Sequence, residues 1–144
     1  METLREILFR GQTRRHGEKV NMRGDKLPGR WVYGGVLQGM GDHSIIYGGE
    51  NPDDIEKHTV YTDTLGQYIG LTDKNGVKIF EGDIVRGRFA HRDIIGQIVY
   101  GDDATFFIQR GGLYGIGLNN ASDWVSVVGN IHDNPELIGG GQDG

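Results

Sequence analysis

The chain contains no cysteine among its 144 residues. That excludes disulfide frameworks, cysteine-built zinc sites, iron–sulfur clusters and thiol nucleophiles. Proline is scarce, at three residues, so proline-rich linkers and collagen-like structure are excluded as well. No apolar run approaches the ~18 residues of a membrane-spanning helix. The N-terminus also lacks the apolar stretch of a secretory signal, so the expectation is a soluble, cytoplasmic protein without a membrane partner. Hydrophobic residues make up only 36 % of the chain, but 13 aromatic residues and many Val and Ile argue against disorder.

Glycine is in excess, at 26 residues, where an average chain of this size would hold roughly 7 %. Its distribution explains the excess. Almost every candidate element is a short run of strand formers bounded by glycine or a polar turn. Such runs are Glu6–Arg10, Arg30–Leu37, Ser44–Tyr47, His58–Thr62, Gln67–Leu71, Val77–Phe80, Ile84–Phe89, Ile94–Tyr100, Thr105–Gln109 and Trp124–Ile131. No twelve-residue stretch keeps a helical period. Asn51–Asp54 reads as a turn, and Asn75-Gly76 as the tip of a hairpin. The expectation is a mainly β chain in which glycine supplies tight turns and sharply bent strands.

Charge divides unevenly. The first thirty residues carry +4 and the remainder −9. Arg14, Arg15 and Lys19 belong to this basic start and are candidate nucleic-acid contacts. Acids and glycines interrupt the basic residues, so a solvated basic hairpin is the plainer reading. A second basic group is Arg86, Arg88 and Arg92, accompanied by Phe89 and His91. Arg86 and Arg88 share a strand face, about 7 Å apart, a spacing suited to phosphates. The plainer alternative is a strand edge blunted by charge against aggregation. Trp31 and Tyr33 are candidate interface residues, and Tyr47 and Tyr68 are read as core or interface packing.

Several catalytic and cofactor motifs almost occur and fail on a required residue. Gly24–Trp31 has phosphate-loop glycine spacing, but lacks the lysine and puts Trp31 where a hydroxyl belongs. Gly115-Ile116-Gly117 has Asn120 where a dinucleotide fold needs its third glycine. A calcium loop centred on Gly76 would need acids where Leu71 and Gly82 stand. The five histidines are scattered singly, and no serine lies in a nucleophile elbow. Neither a catalytic residue nor a metal or cofactor site is expected, and the chain is read as a non-enzyme.

Four segments nevertheless resemble one family. Ile7–Gly11, Gly29–Gly34, the long block Leu65–Val85 and the ending Val128–Leu137 are similar to YopX-like proteins. Residues 38–64, 86–95 and 111–123 carry little of the likeness. The resemblance implies a protein encoded by a phage or prophage, with a C-terminal barrel of the Src-homology-3 type. It implies no established activity, so no catalytic residue is carried over. The expected organisation is an N-terminal β-rich segment over 1–64, a small β-barrel over 65–138 and a disordered tail over 139–144. The expected role is binding or assembly, through a protein partner or a homo-oligomer. The alternative is a nucleic-acid-binding module using the basic start and Arg86, Arg88 and Arg92.

Overall fold

The glycine-bounded runs form ten strands among the residues described by the computed structural model, namely 5–15, 17, 18, 22, 23, 30–48, 53, 55–112 and 114–139. The fold is mainly β, with antiparallel pairing throughout. The chain divides into two compact units, Met1–Gln67 and Tyr68–Gly144.

In the first unit, β1 (Phe9–Gln12), β2 (Trp31–Leu37), β3 (His43–Gly48) and β4 (Glu56–Tyr61) lie in the order β4-β3-β2-β1. Residues 66 and 67 at the start of β5 (Gly66–Thr72) pair with the far side of β1. One face of this meander holds the core of Val32, Ile46 and Val60, packed by Phe9, Val36 and Leu65. β1 extends two residues beyond the expected stop at Arg10, for a steric reason. Gly11 lies against Val60, where any Cβ would come within 2.8 Å of a valine methyl. Thr64 ties this unit's end to β1. Its hydroxyl accepts the Gln12 N–H at 2.8 Å and donates to the Tyr61 carbonyl.

The second unit holds the rest of β5 with β6 (Lys78–Phe80), and a sheet of β7 (Asp83–Phe89), β8 (Arg92–Tyr100), β9 (Phe106–Gln109) and β10 (Val125–Asn130) in the order β10-β7-β8-β9. Its core is aliphatic and β-branched: Ile79, Val85, Ile94, Ile98, Ile108 and Val125 are buried, with Phe106, Trp124 and Val127 packed against them. No ladder joins β9 to β10 among the described residues. The expected strand from Trp124 instead begins at Val125. Asn120 takes a left-handed conformation (φ 57°) and starts a single helical turn, α1 (Ala121–Trp124). Val125 and Val127 point to the core and Ser126 and Val128 away from it, and a bulge between Val127 and Gly129 shifts the register beyond them. Beyond β10 the chain forms a 3-10 turn over Pro135–Ile138, which Asn134 precedes. Before it, Asn130 Oδ1 accepts the His132 and Asp133 N–H groups, and Asn134 Oδ1 accepts that of Asn130.

Asp73 joins the β5–β6 hairpin to the sheet. One carboxylate oxygen accepts the Asn75 and Val77 N–H groups at 2.8 and 2.9 Å. The other accepts the Val127 N–H of β10 at 2.9 Å, and beside it Lys74 N–H donates to Val125 O. Burial alone would raise the Asp73 pKa, but the three backbone donors and nearby Lys74 outweigh it and hold the carboxyl below its ordinary range. Only Gly76 (φ 82°) is left-handed in this turn. The loop is therefore a type I turn closed by a glycine bulge, not the two-residue turn that Asn-Gly suggests. The β8–β9 connection repeats the same pattern, with Gly101 N–H bonded to Thr105 O and Ala104 N–H to Gly101 O. There the left-handed position is Ala104, at φ 65°.

Two outcomes are expected. Asp73→Asn should destabilise the fold by about 2 kcal/mol, since charge-assisted hydrogen bonds are lost and an amide NH2 faces a backbone N–H. Because the folded carboxyl titrates below its unfolded value, its contribution is complete above about pH 4 and is lost as pH falls through the folded value. Urea titrations should accordingly show the wild-type advantage shrinking in acid. Ala104→Gly should raise the urea midpoint by the equivalent of roughly 0.5–1 kcal/mol, because relief of the left-handed alanine exceeds the added unfolded-state entropy.

Candidate functional site

Two surfaces carry the residues singled out above. On the first, strand alternation turns Trp31, Tyr33, Gly35 and Leu37 away from the core face. The register sets Arg10 opposite Tyr33, Tyr47 opposite Gly35, Ile45 opposite Leu37 and Lys57 opposite Tyr47. All of these side chains therefore share one outer face. Trp31 is half-buried, with the Arg10 guanidinium 4.5 Å from its ring centre. Tyr33, Leu37 and Tyr47 are 47 %, 57 % and 40 % exposed. Leu37 escaped the sequence reading, although simple alternation from Trp31 would have found it.

The basic start is largely engaged within its own unit. Arg15 lies 4.3 Å from the Tyr61 ring centre and 3.1 Å from the Asp63 carboxylate. Arg14 is half-buried, with its Nε enclosed. Lys19 lies outside the described residues, as do the expected turn Asn51–Asp54 apart from Asp53 and the expected tail beyond Gly139.

The second surface is a shallow groove of about 520 Å³ in the second unit. Arg86 and Arg88 both line it, as their shared strand face requires. Arg92 pairs in register with Phe89, which puts it on the opposite face, so the structure does not bring the three arginines together. Between the strands, Ala90 and His91 form a two-residue turn with φ of 53° and 68°. Both are costly left-handed conformations for residues with a Cβ. Arg88 reaches back to His91 O at 3.4 Å and to Asp93 at 3.7 Å. Lys74 and Ser126 join the groove, the first through the hairpin tip bonded to β10, the second directly opposite Arg86. Neither had a sequence signal, because Lys74 meets β7 only through the tertiary fold. Among the described residues no three His, Asp or Glu side chains converge to hold a metal ion. No described helix is long and apolar enough to cross a membrane.

These features define a two-unit, mainly antiparallel β protein with an aromatic sheet face and a small cationic groove. Its sequence matches the family described as YopX protein over residues 25–139, and the chain belongs to the YopX family. No curated protein matches it. Among solved structures, the crystal structure of protein EF1440 from Enterococcus faecalis is similar at 28 % identity, covering 92 % of this chain and 98 % of that one, with a TM-score of 0.48.

Tyr61 gives a spectroscopic handle on the basic start. Its hydroxyl donates to Glu18 at 2.9 Å. That hydrogen bond, with burial and the Glu18 charge, raises the phenol above its ordinary value, although Arg15 pulls the other way. In ultraviolet titration one tyrosine should therefore ionise above the usual value of about 10. Glu18→Gln should bring it back towards the others.

Proposed function

We propose that this protein is a non-enzymatic binding or assembly protein, encoded by a phage or prophage and acting in the bacterial cytoplasm. Its favoured partner is a second copy of the chain. The observation that carries this reading is the outer sheet face of the first unit. Tyr33, Leu37 and Tyr47 expose large apolar surfaces side by side on rigid strands, where burial against a partner removes them from water. Family membership supports the phage origin. In this reading the second unit is a small barrel of the Src-homology-3 type. The Asp73 clasp, which brings the β5–β6 hairpin to the free edge of β10, supports that architecture.

A second reading is a nucleic-acid-binding module that uses the basic start with Arg86, Arg88 and Arg92. Its support is the outward pair Arg86 and Arg88 on one strand face.

Self-association is tested by light scattering across the micromolar range. The expected mass exceeds the 15.9 kDa of one chain. Leu37→Ser with Tyr47→Ser should weaken association at least about tenfold, since two apolar side chains are withdrawn from the contact. A wild-type chain that stays monomeric throughout would exclude the second copy as partner.

A further inference from the structure

We infer that the groove of the second unit binds the backbone of a single-stranded nucleic acid, with Arg86 and Lys74 as its phosphate contacts and Ser126 as a neutral donor. This inference rests on the second reading above and deepens it, because it names the strand type and moves the contacts away from Arg92 and the basic start.

Charge segregation is the first argument. Residues 68–144 carry six Lys and Arg against ten Asp and Glu. Three of the six cations nevertheless line this one groove, with only Asp93 and Asp123 of the ten acids. Cations gathered against the net charge of their unit create a local positive potential that the rest of the surface lacks.

The second argument is what each cation does. Arg88 is engaged by Asp93 and by the His91 carbonyl. Among the described residues Arg86 and Lys74 have no ion-pair partner for their charged heads. Ser126 stands directly across the ladder from Arg86. Lys74 is held near by its own backbone bond to Val125 at 2.9 Å. The donors therefore sit on paired strands and a clasped turn, so little ordering is needed when an anion arrives.

Aromatic surface decides for a single strand over a duplex. Trp124 lines the groove beside Gly87. Val128, on the same strand face as Ser126, adds apolar lining. Aromatic and apolar surfaces beside phosphate donors contact the faces of unstacked bases, and a duplex keeps those faces hidden.

The test is fluorescence anisotropy on the full chain, with labelled single-stranded DNA and RNA of about 15 nucleotides and the matching duplex, at about 50 and 200 mM salt. The expected result is single-strand binding that weakens steeply with salt and exceeds duplex binding. Arg86→Gln with Lys74→Gln should weaken it at least about tenfold. The log–log salt slope should flatten by about 1.4, or ~0.7 for each phosphate contact removed. Lys78→Gln, outside the groove, should bind as the wild type does. If the wild type binds single strands but the double variant binds equally well, the groove assignment is overturned and the nucleic-acid reading survives. Absence of binding at the lower salt overturns both, and a preference for duplex overturns the single-strand assignment.

Discussion

The outer edge of β10 would leave backbone N–H and C=O groups without strand partners, and a single buried carboxylate closes that edge. Asp73 accepts the Val127 N–H with one oxygen and the Asn75 and Val77 N–H groups with the other. The next residue returns a bond to Val125 O. A side chain thus does the work of a strand: it satisfies the sheet edge while it shapes its own hairpin. The groove depends on the same contact, because Lys74 reaches the neighbourhood of Arg86 only while Asp73 holds the turn against β10.

The rest of the second unit follows from aliphatic packing and turn chemistry. Its core is dominated by Ile and Val, whose branched side chains suit a pleated sheet. Polar side chains then shape the ends. Asn130 accepts N–H groups of the segment that follows β10, and Asn134 accepts the N–H of Asn130 at the strand's end. The family match over residues 25–139 takes in both Asp73 and Asn130. Strain is kept at other turns, where Ala90, His91 and Ala104 hold left-handed backbone conformations without glycine.

The two surfaces answer to different physics. The first-unit face is aromatic and apolar at Tyr33, Leu37 and Tyr47, with Lys57 beside them, and is suited to burial against another protein surface. The second-unit groove is small and cationic, suited to anions whose counterions are released on binding. They lie on separate units of one chain, so each can be disabled without touching the other.

Much of this was legible in the chain itself. Glycine-bounded apolar runs located the strands to within a few residues, and Trp31 and Tyr33, read as candidate interface residues, stand on the outer face of β2. Alternation put Arg86 and Arg88 on one face. These are local consequences of a period of two and of residues that cannot continue a strand. The boundaries that differed had two causes: Val60, distant in sequence, lies beside Gly11, and the local Leu118–Asn120 turn starts α1 and delays β10. Arg92 left the arginine group because the tight Ala90-His91 turn and the strand register reverse its face. Lys74 and Ser126 entered the groove for the same kind of reason, since Asp73 binds a backbone N–H that lies 54 residues away. The sequence by itself determined a mainly β chain, its strands and its turn residues, because those depend on nearest neighbours. The closing of the β10 edge and the make-up of the groove were decided only by the tertiary structure, because hydrogen bonds between distant segments leave no periodic trace along the chain.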